Sequence, residues 1–172
     1  MVQFDQPSSD SVGVGVAALI DPSAPRWFGS LAMDPRVPVA ESEVDAFLLQ
    51  KFFRAAFLKT EIDDDGDLRV YSDFGCRVYL NVDHDRKLVR FTSVYGLRED
   101  ASEEDKLRLV NTLNDKVILA RFSMPQSDAL MADYYLLYEE GLIPYQVVHT
   151  FRQFARVVVQ SLREYDVEDL VE

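Results

Sequence analysis

The first residues that could do chemistry are the acids of Glu61-Ile62-Asp63-Asp64-Asp65-Gly66-Asp67. Oxygen donors spaced around a glycine are what a calcium loop uses, with the glycine sixth and a bidentate glutamate twelfth. Setting Gly66 sixth puts Glu61 first and Ser72 twelfth, and a strand pattern follows where a second helix is needed. The segment therefore reads as an acidic hairpin turn. His84 sits between Asp83 and Asp85 in a turn, and His149 lies beside the apolar seam of a helix pattern. Neither has a second histidine one helical turn away, and the single Cys76 cannot complete a zinc set. Cys76 falls in a strand pattern and reads as a small buried hydrophobe. Gly13-Val14-Gly15 lacks the third glycine of a dinucleotide loop, no Gly-Lys-Ser/Thr is present for phosphate, and no G-x-S-x-G elbow presents a serine. The sequence thus offers no catalytic residue, no cofactor-binding residue and no metal ligand, and the expectation is a non-enzymatic protein.

Charge narrows the partners. The 172 residues carry 18 Lys and Arg against 30 Asp and Glu, a formal net charge of −12, with acids gathered at residues 61–67, 99–105 and 164–172. That field repels a phosphate backbone, so nucleic acid is not expected; a protein segment, basic or partly unfolded, is. No apolar run reaches the roughly 20 residues of a membrane span. The apolar run at residues 12–20 lacks the basic flank of a signal peptide. One cysteine excludes an internal disulfide, and with it the sequence points to the cytoplasm.

The elements that would position a site follow from patterning. Residues 1–41 hold five of the seven prolines and read as an irregular N-terminal arm, with one strand-like run at 12–20 and the pair Trp27-Phe28 to dock it on a body at 42–172. Ser42 with Asp45, and again Ser102 with Asp105, have capping-box spacing. The first predicts a helix over about 43–58, apolar over a wide arc. Three strands follow, in which Leu68 and Val70, Cys76 to Val82 on alternate positions, and Val89 and Phe91 mark a one-sided antiparallel meander. A second helix from about Ser102 shows Leu107, Val110, Leu113 and Val117 near a 3.6 period. It ends in Asn111 and Asn114, whose amides are expected to bond backbone at the hand-over to the next strand. Strands at 118–124 and 130–138 come next, joined around residues 125–128. Pro144 then opens a helix to Tyr165, with Val147, Phe151, Phe154, Val158 and Leu162 forming its seam. The fold class predicted is α+β. Its antiparallel five-stranded sheet has the order helix-strand-strand-strand-helix-strand-strand-helix, with the first and last helices packed mainly on one face.

The last strand pair does not alternate as a sheet covered on one side should. Met131, Tyr135 and Leu137 oppose Ala132, Tyr134 and Leu136, and Leu119 opposes Ala120 and Phe122. Leu119, Tyr135 and Leu137 are expected on the face that the terminal helix leaves open. Leu119, Arg121, Met131, Tyr135 and Leu137 are the candidate partner- or dimer-binding residues, covered either by the arm or by a second chain.

Taken together, the Asp64–Gly66 turn before Leu68-Arg69-Val70, the Asn111 and Asn114 pair, the strand pair after it, and Gly141 leading into a helix with Phe151 and Phe154 resemble the YbjN family, a group labelled bacterial sensory transduction regulators. The resemblance covers residues 42–165. It implies a fold similar to type III secretion chaperones, small acidic proteins that dimerise and hold substrates in extended form. A non-enzymatic, chaperone-like protein-binding adaptor or regulator acting as a homodimer is therefore the first function expected. The alternative is a small-molecule-binding or hydrolytic protein with a pocket under the arm, for which Trp27-Phe28 speaks. The family has no agreed catalytic residues to carry over.

Overall fold

The computed structural model describes residues 34–172; the strand-like run at 12–20 and Trp27-Phe28 lie outside them. The first helix, α1 (Ala46–Ala55), begins later than the Ser42 spacing predicts. Residues 41–43 form a single 3-10 turn, and the cap is Asp45, whose Oδ1 accepts the Leu48 amide at 2.6 Å. The helix stops where Phe57 takes a left-handed φ of 62°, a conformation that ends a helical run.

A six-stranded sheet follows, fully antiparallel, in the order β1-β2-β3-β4-β6-β5. Its strands are β1 (Thr60–Ile62), β2 (Leu68–Tyr71), β3 (Arg77–Asp83), β4 (Leu88–Gly96), β5 (Arg121–Gln126) and β6 (Ala129–Leu137). The sheet has six strands, not five. The extra one, β1, is three residues long and its Thr-Glu-Ile sequence follows the helix end too closely to show a period of its own. It forms the near arm of the hairpin that Gly66 closes at φ 85°, with the Gly66 amide on the Asp63 carbonyl and Asp67 N–H on Asp63 Oδ1.

Between β4 and β5, α2 (Glu103–Lys116) is capped as its spacing predicts, Ser102 Oγ accepting the Asp105 amide at 3.1 Å. Its buried stripe differs from the predicted one: Leu107 is exposed, whereas Lys106, Leu109, Val110 and Leu113 face inward. Lys106 is tolerated there because its Nζ donates to the Ser127 carbonyl at 2.8 Å, so the ammonium is tied to the β5–β6 turn. The long α3 (Pro144–Tyr165) carries the predicted seam, with Val147, Phe151, Phe154, Val158 and Leu162 all buried.

The helices cover one face only. Leu68, Leu80, Phe91 and Tyr134 follow one another across β2, β3, β4 and β6 on this face, where α1 lies against β2 and β3 and the Phe91 and Tyr134 rings meet Phe154 of α3. The Phe91 ring lies 6.2 Å from Phe154 and 5.9 Å from Tyr134, and Phe53 of α1 makes an edge contact with Phe151 at 5.0 Å. The four phenylalanine rings are wholly withdrawn from water, each worth about 1.5–3 kcal/mol, while Tyr134 is half-buried at their border. The stretch before α1 closes the body: Val39 pairs with Leu142, and the Tyr145 amide donates to Pro35 O at 2.9 Å.

Candidate protein-binding face

Residues directly opposite in antiparallel strands share a face. Stepping through the register gives one row across all six strands: Glu61, Arg69, Tyr79, Thr92, Asp133 and Arg121. Asn81, Arg90 and Tyr135 form a second row, and Asp83, Leu88 and Leu137 a third. These rows lie opposite the helix-covered face. Among the described residues no helix packs against them; Leu137 (64% exposed) and Tyr135 (41%) stand open on them, as does Val94 (53%) opposite Met131 on the same face.

The centre of this face is a charged knot. Asp133 is 1% exposed and holds Arg90 Nε on Oδ1 at 2.9 Å and Arg121 Nη2 on Oδ2 at 3.0 Å, with Thr92 Oγ1 donating to Oδ1 at 3.0 Å. Burial pushes the Asp133 carboxyl up, yet the hydrogen bonds from Arg90, Arg121 and Thr92 outweigh it and leave the group below the usual carboxylate range. The same aspartate raises both guanidinium groups. Arg121 also donates to the Tyr135 hydroxyl at 3.1 Å, and both arginines lie over the Tyr135 ring, 5.6 Å and 6.0 Å from its centroid. Arg90 Nη2 reaches Met131 Sδ at 3.4 Å. One aspartate thus locks two arginines, a tyrosine and a methionine into a fixed plate, and two guanidinium charges against one carboxylate leave it positive.

A second cluster continues the row at the far edge. Glu61 accepts from the Tyr71 hydroxyl at 2.9 Å and pairs with Lys59 at 3.2 Å and Arg69 at 3.6 Å; the Arg69 guanidinium lies 5.2 Å from the Tyr79 ring centroid. The Tyr71 hydrogen bond is the main cause of a lowered Glu61 carboxyl. Both clusters are ion pairs stacked on aromatics, and neither aims an unpaired acid, base or nucleophile at an open cleft.

Of the five candidate residues, Arg121, Met131, Tyr135 and Leu137 are together on this face. Leu119 is not. β5 starts at Arg121 rather than at 118, the chain bends at Ile118 and Leu119, and strand parity does not extend back through the bend. Leu119 lies on the helix side, lining a hollow with Tyr134, His149 and Phe154 and a groove of about 530 Å³ with Val117, Val157 and Tyr165. Sequence reasoning missed Asp133, Arg90 and Thr92. The signal for the first was a lone carboxylate in an apolar strand.

Asn114 has the role its position predicts, its amide donating to Phe122 O at 2.9 Å and accepting Phe122 N–H at 2.8 Å. Asn111 does not: it is exposed on α2 and makes no such bond. Cys76 is buried against Ser72 Oγ at 3.1 Å. His84 Nδ1 lies 3.3 Å from the Tyr138 hydroxyl, and His149 stacks on Tyr145. Among the described residues no three of His, Cys, Asp or Glu are grouped to hold a metal ion, and no helix is long and apolar enough to cross a membrane.

Comparison with known proteins agrees on the frame. A family model, YbjN, described as "Putative bacterial sensory transduction regulator", matches residues 45–166. The crystal structure of YbjN from E. coli is similar at a TM-score of 0.62 and 11% identity, over 75% of this chain and 96% of that one. A structure of the HopA1-SchA chaperone-effector complex aligns with a TM-score of 0.48 and 15% identity, over 69% of this chain and 90% of that one. No curated protein matches the chain.

Proposed function

We propose that this chain, which belongs to the YbjN family, works by binding a protein segment on its uncovered sheet face rather than by catalysis. The observation that carries this is the plate around Asp133. A buried carboxylate is expensive to place in a sheet, and here it holds arginine, tyrosine and methionine side chains rigid at a surface with no helix over it. Arginine and tyrosine are the side chains in which binding energy concentrates, and fixing them in advance removes the entropic cost of ordering them on contact.

The chemistry of the face also selects its partner. Its rows carry Arg69, Arg90 and Arg121, with Arg77 opposite Tyr71 on the same face, against Glu61, Asp83 and Asp133, in a chain whose net charge is −12. The face thus carries more arginine than carboxylate in an acidic molecule, and it suits an extended segment bearing carboxylates and apolar side chains. That favours a partly unfolded acidic partner over the basic one expected from net charge alone. A regulatory adaptor in the cytoplasm is the setting this describes, and homodimerisation belongs to the same proposal.

The test is capture from a bacterial lysate with the full-length chain, read by mass spectrometry, comparing wild type with Leu137→Glu and Arg121→Glu. Partners held by wild type and lost from both folded variants support the reading. Partners retained by both variants place binding elsewhere and remove its basis. Sedimentation of the same proteins tests the dimer.

A further inference from the structure

We propose that in the free chain this face is occupied by the protein's own N-terminal segment, residues 1–33, with Trp27 and Phe28 against Tyr135 and Leu137. The inference rests on reading the face as a docking surface and adds a regulation to it: a partner must displace the segment to bind.

Three observations converge. The first is where the segment joins the body. Pro35 O accepts the Tyr145 amide and Val39 pairs with Leu142, so the chain enters at the end of the sheet where β6 leaves for α3. Leu137 is the last residue of β6 and pairs there with Leu88. The second is reach. Trp27 is seven residues before Asp34. At roughly 3.3 Å per extended residue those seven span about 23 Å, against about 24 Å for the width of six strands at roughly 4.8 Å spacing. The third is complementarity. Residues 1–33 carry Asp5, Asp10 and Asp21 against Arg26, and are therefore net acidic, as a segment facing Arg77, Arg90 and Arg121 should be. Trp27 supplies an aromatic face for guanidinium groups already stacked on Tyr135.

The consequence is competition. A segment tethered this closely has an effective concentration in the millimolar range, so even weak docking lowers apparent partner affinity. The covered state would keep Leu137 and Val94 from water until a partner of better fit arrives.

Trp27 is the chain's only tryptophan, so its fluorescence in the full-length protein, excited at the red edge where tyrosine does not absorb, reads this segment alone. The expected result is blue-shifted emission shielded from acrylamide and independent of protein concentration. In Leu137→Glu and in Arg121→Glu, each checked for native far-ultraviolet dichroism, emission should move to that of the urea-unfolded chain. Leu119→Glu, on the helix side, should leave it unchanged. Should Leu137→Glu fail to fold, Val94→Glu replaces it. Wild-type emission already at the unfolded position overturns the proposal, as does shielding that survives both face variants. Shielding that grows with concentration assigns the segment to a second copy and overturns it too. Exposed Trp27 with partner capture still abolished by the face variants sinks this inference alone. Shielded Trp27 with capture untouched by those variants sinks the binding role alone.

Discussion

Asp133 Oδ2 and Arg121 Nη2 lie 3.0 Å apart across the β5–β6 pair, the carboxylate wholly buried and the guanidinium more than half exposed. The pair is therefore a bridge from the sheet's interior to its surface. Asp133→Asn would leave Arg121 and Arg90 without a counter-charge. Removing one partner of a fully buried pair costs about 3–5 kcal/mol, but these arginines reach solvent, so a loss of about 1–3 kcal/mol is expected in urea denaturation at neutral pH. An unchanged midpoint would mean that the knot contributes nothing to stability.

The same group sets a pH dependence. Its carboxyl is held below the ordinary 3.8 in the folded chain, so its contribution is complete above about pH 4 and is lost as pH falls through the lowered value. The stability gap between wild type and Asp133→Asn should accordingly close on acidification from pH 7 towards pH 3. A gap that stays constant would show that the charge of Asp133 is not what stabilises.

Asn114 joins α2 to β5 with two hydrogen bonds to one residue, Phe122. Asn114→Ala strips partners from both backbone groups and should cost about 1–3 kcal/mol. Asn111→Ala, on the exposed side of the same helix, should stay within about 0.5 kcal/mol. Equal effects in thermal melts would contradict the assignment of different roles to the two amides.

Much of this architecture is legible in the residues. Pro144 and the 3.6-period seam mark α3, Ser102 marks α2, and the alternation from Cys76 to Val82 marks β3. What escaped has physical reasons. Three residues of β1 cannot display a two-residue period beside a helix tail, and Asp45 outcompetes Ser42 as a cap because only its carboxylate reaches a helical amide. The candidate face was half legible. Tyr135 and Leu137 showed as surplus apolar side chains, but the residue that organises them is Asp133, whose donor Arg90 lies 43 positions away. Only the register of β4 on β6 brings them together, and a single sequence does not print register.

Gly141 is the clearest backbone requirement. It has a φ of 92°, and a β-carbon there would sit inside van der Waals contact of the Val39 carbonyl oxygen, a backbone atom with no freedom to swing away. Gly141→Ala combines left-handed strain with that clash and should destabilise by about 2 kcal/mol or more. Because Val39 anchors the segment leading from residues 1–33, the melt should be accompanied by loss of protection at the Val39 and Leu142 amides in hydrogen exchange. A variant as stable as wild type would refute the close approach.

The last prediction separates the two leucines that sequence reasoning placed on one face. Leu137 projects from β6 into solvent beside Leu88, so Leu137→Glu should change folding stability by no more than about 0.5 kcal/mol while abolishing partner capture. Leu119 lies across the molecule against α3, where a new carboxylate would join Glu164 along the groove shared with Val157 and Tyr165. Leu119→Glu should therefore cost about 1 kcal/mol and leave capture intact. Melting curves and lysate capture on the two single variants decide it. Parallel losses of stability and binding would mean that both leucines belong to the core, and identical retention of binding would leave the sheet face without a role.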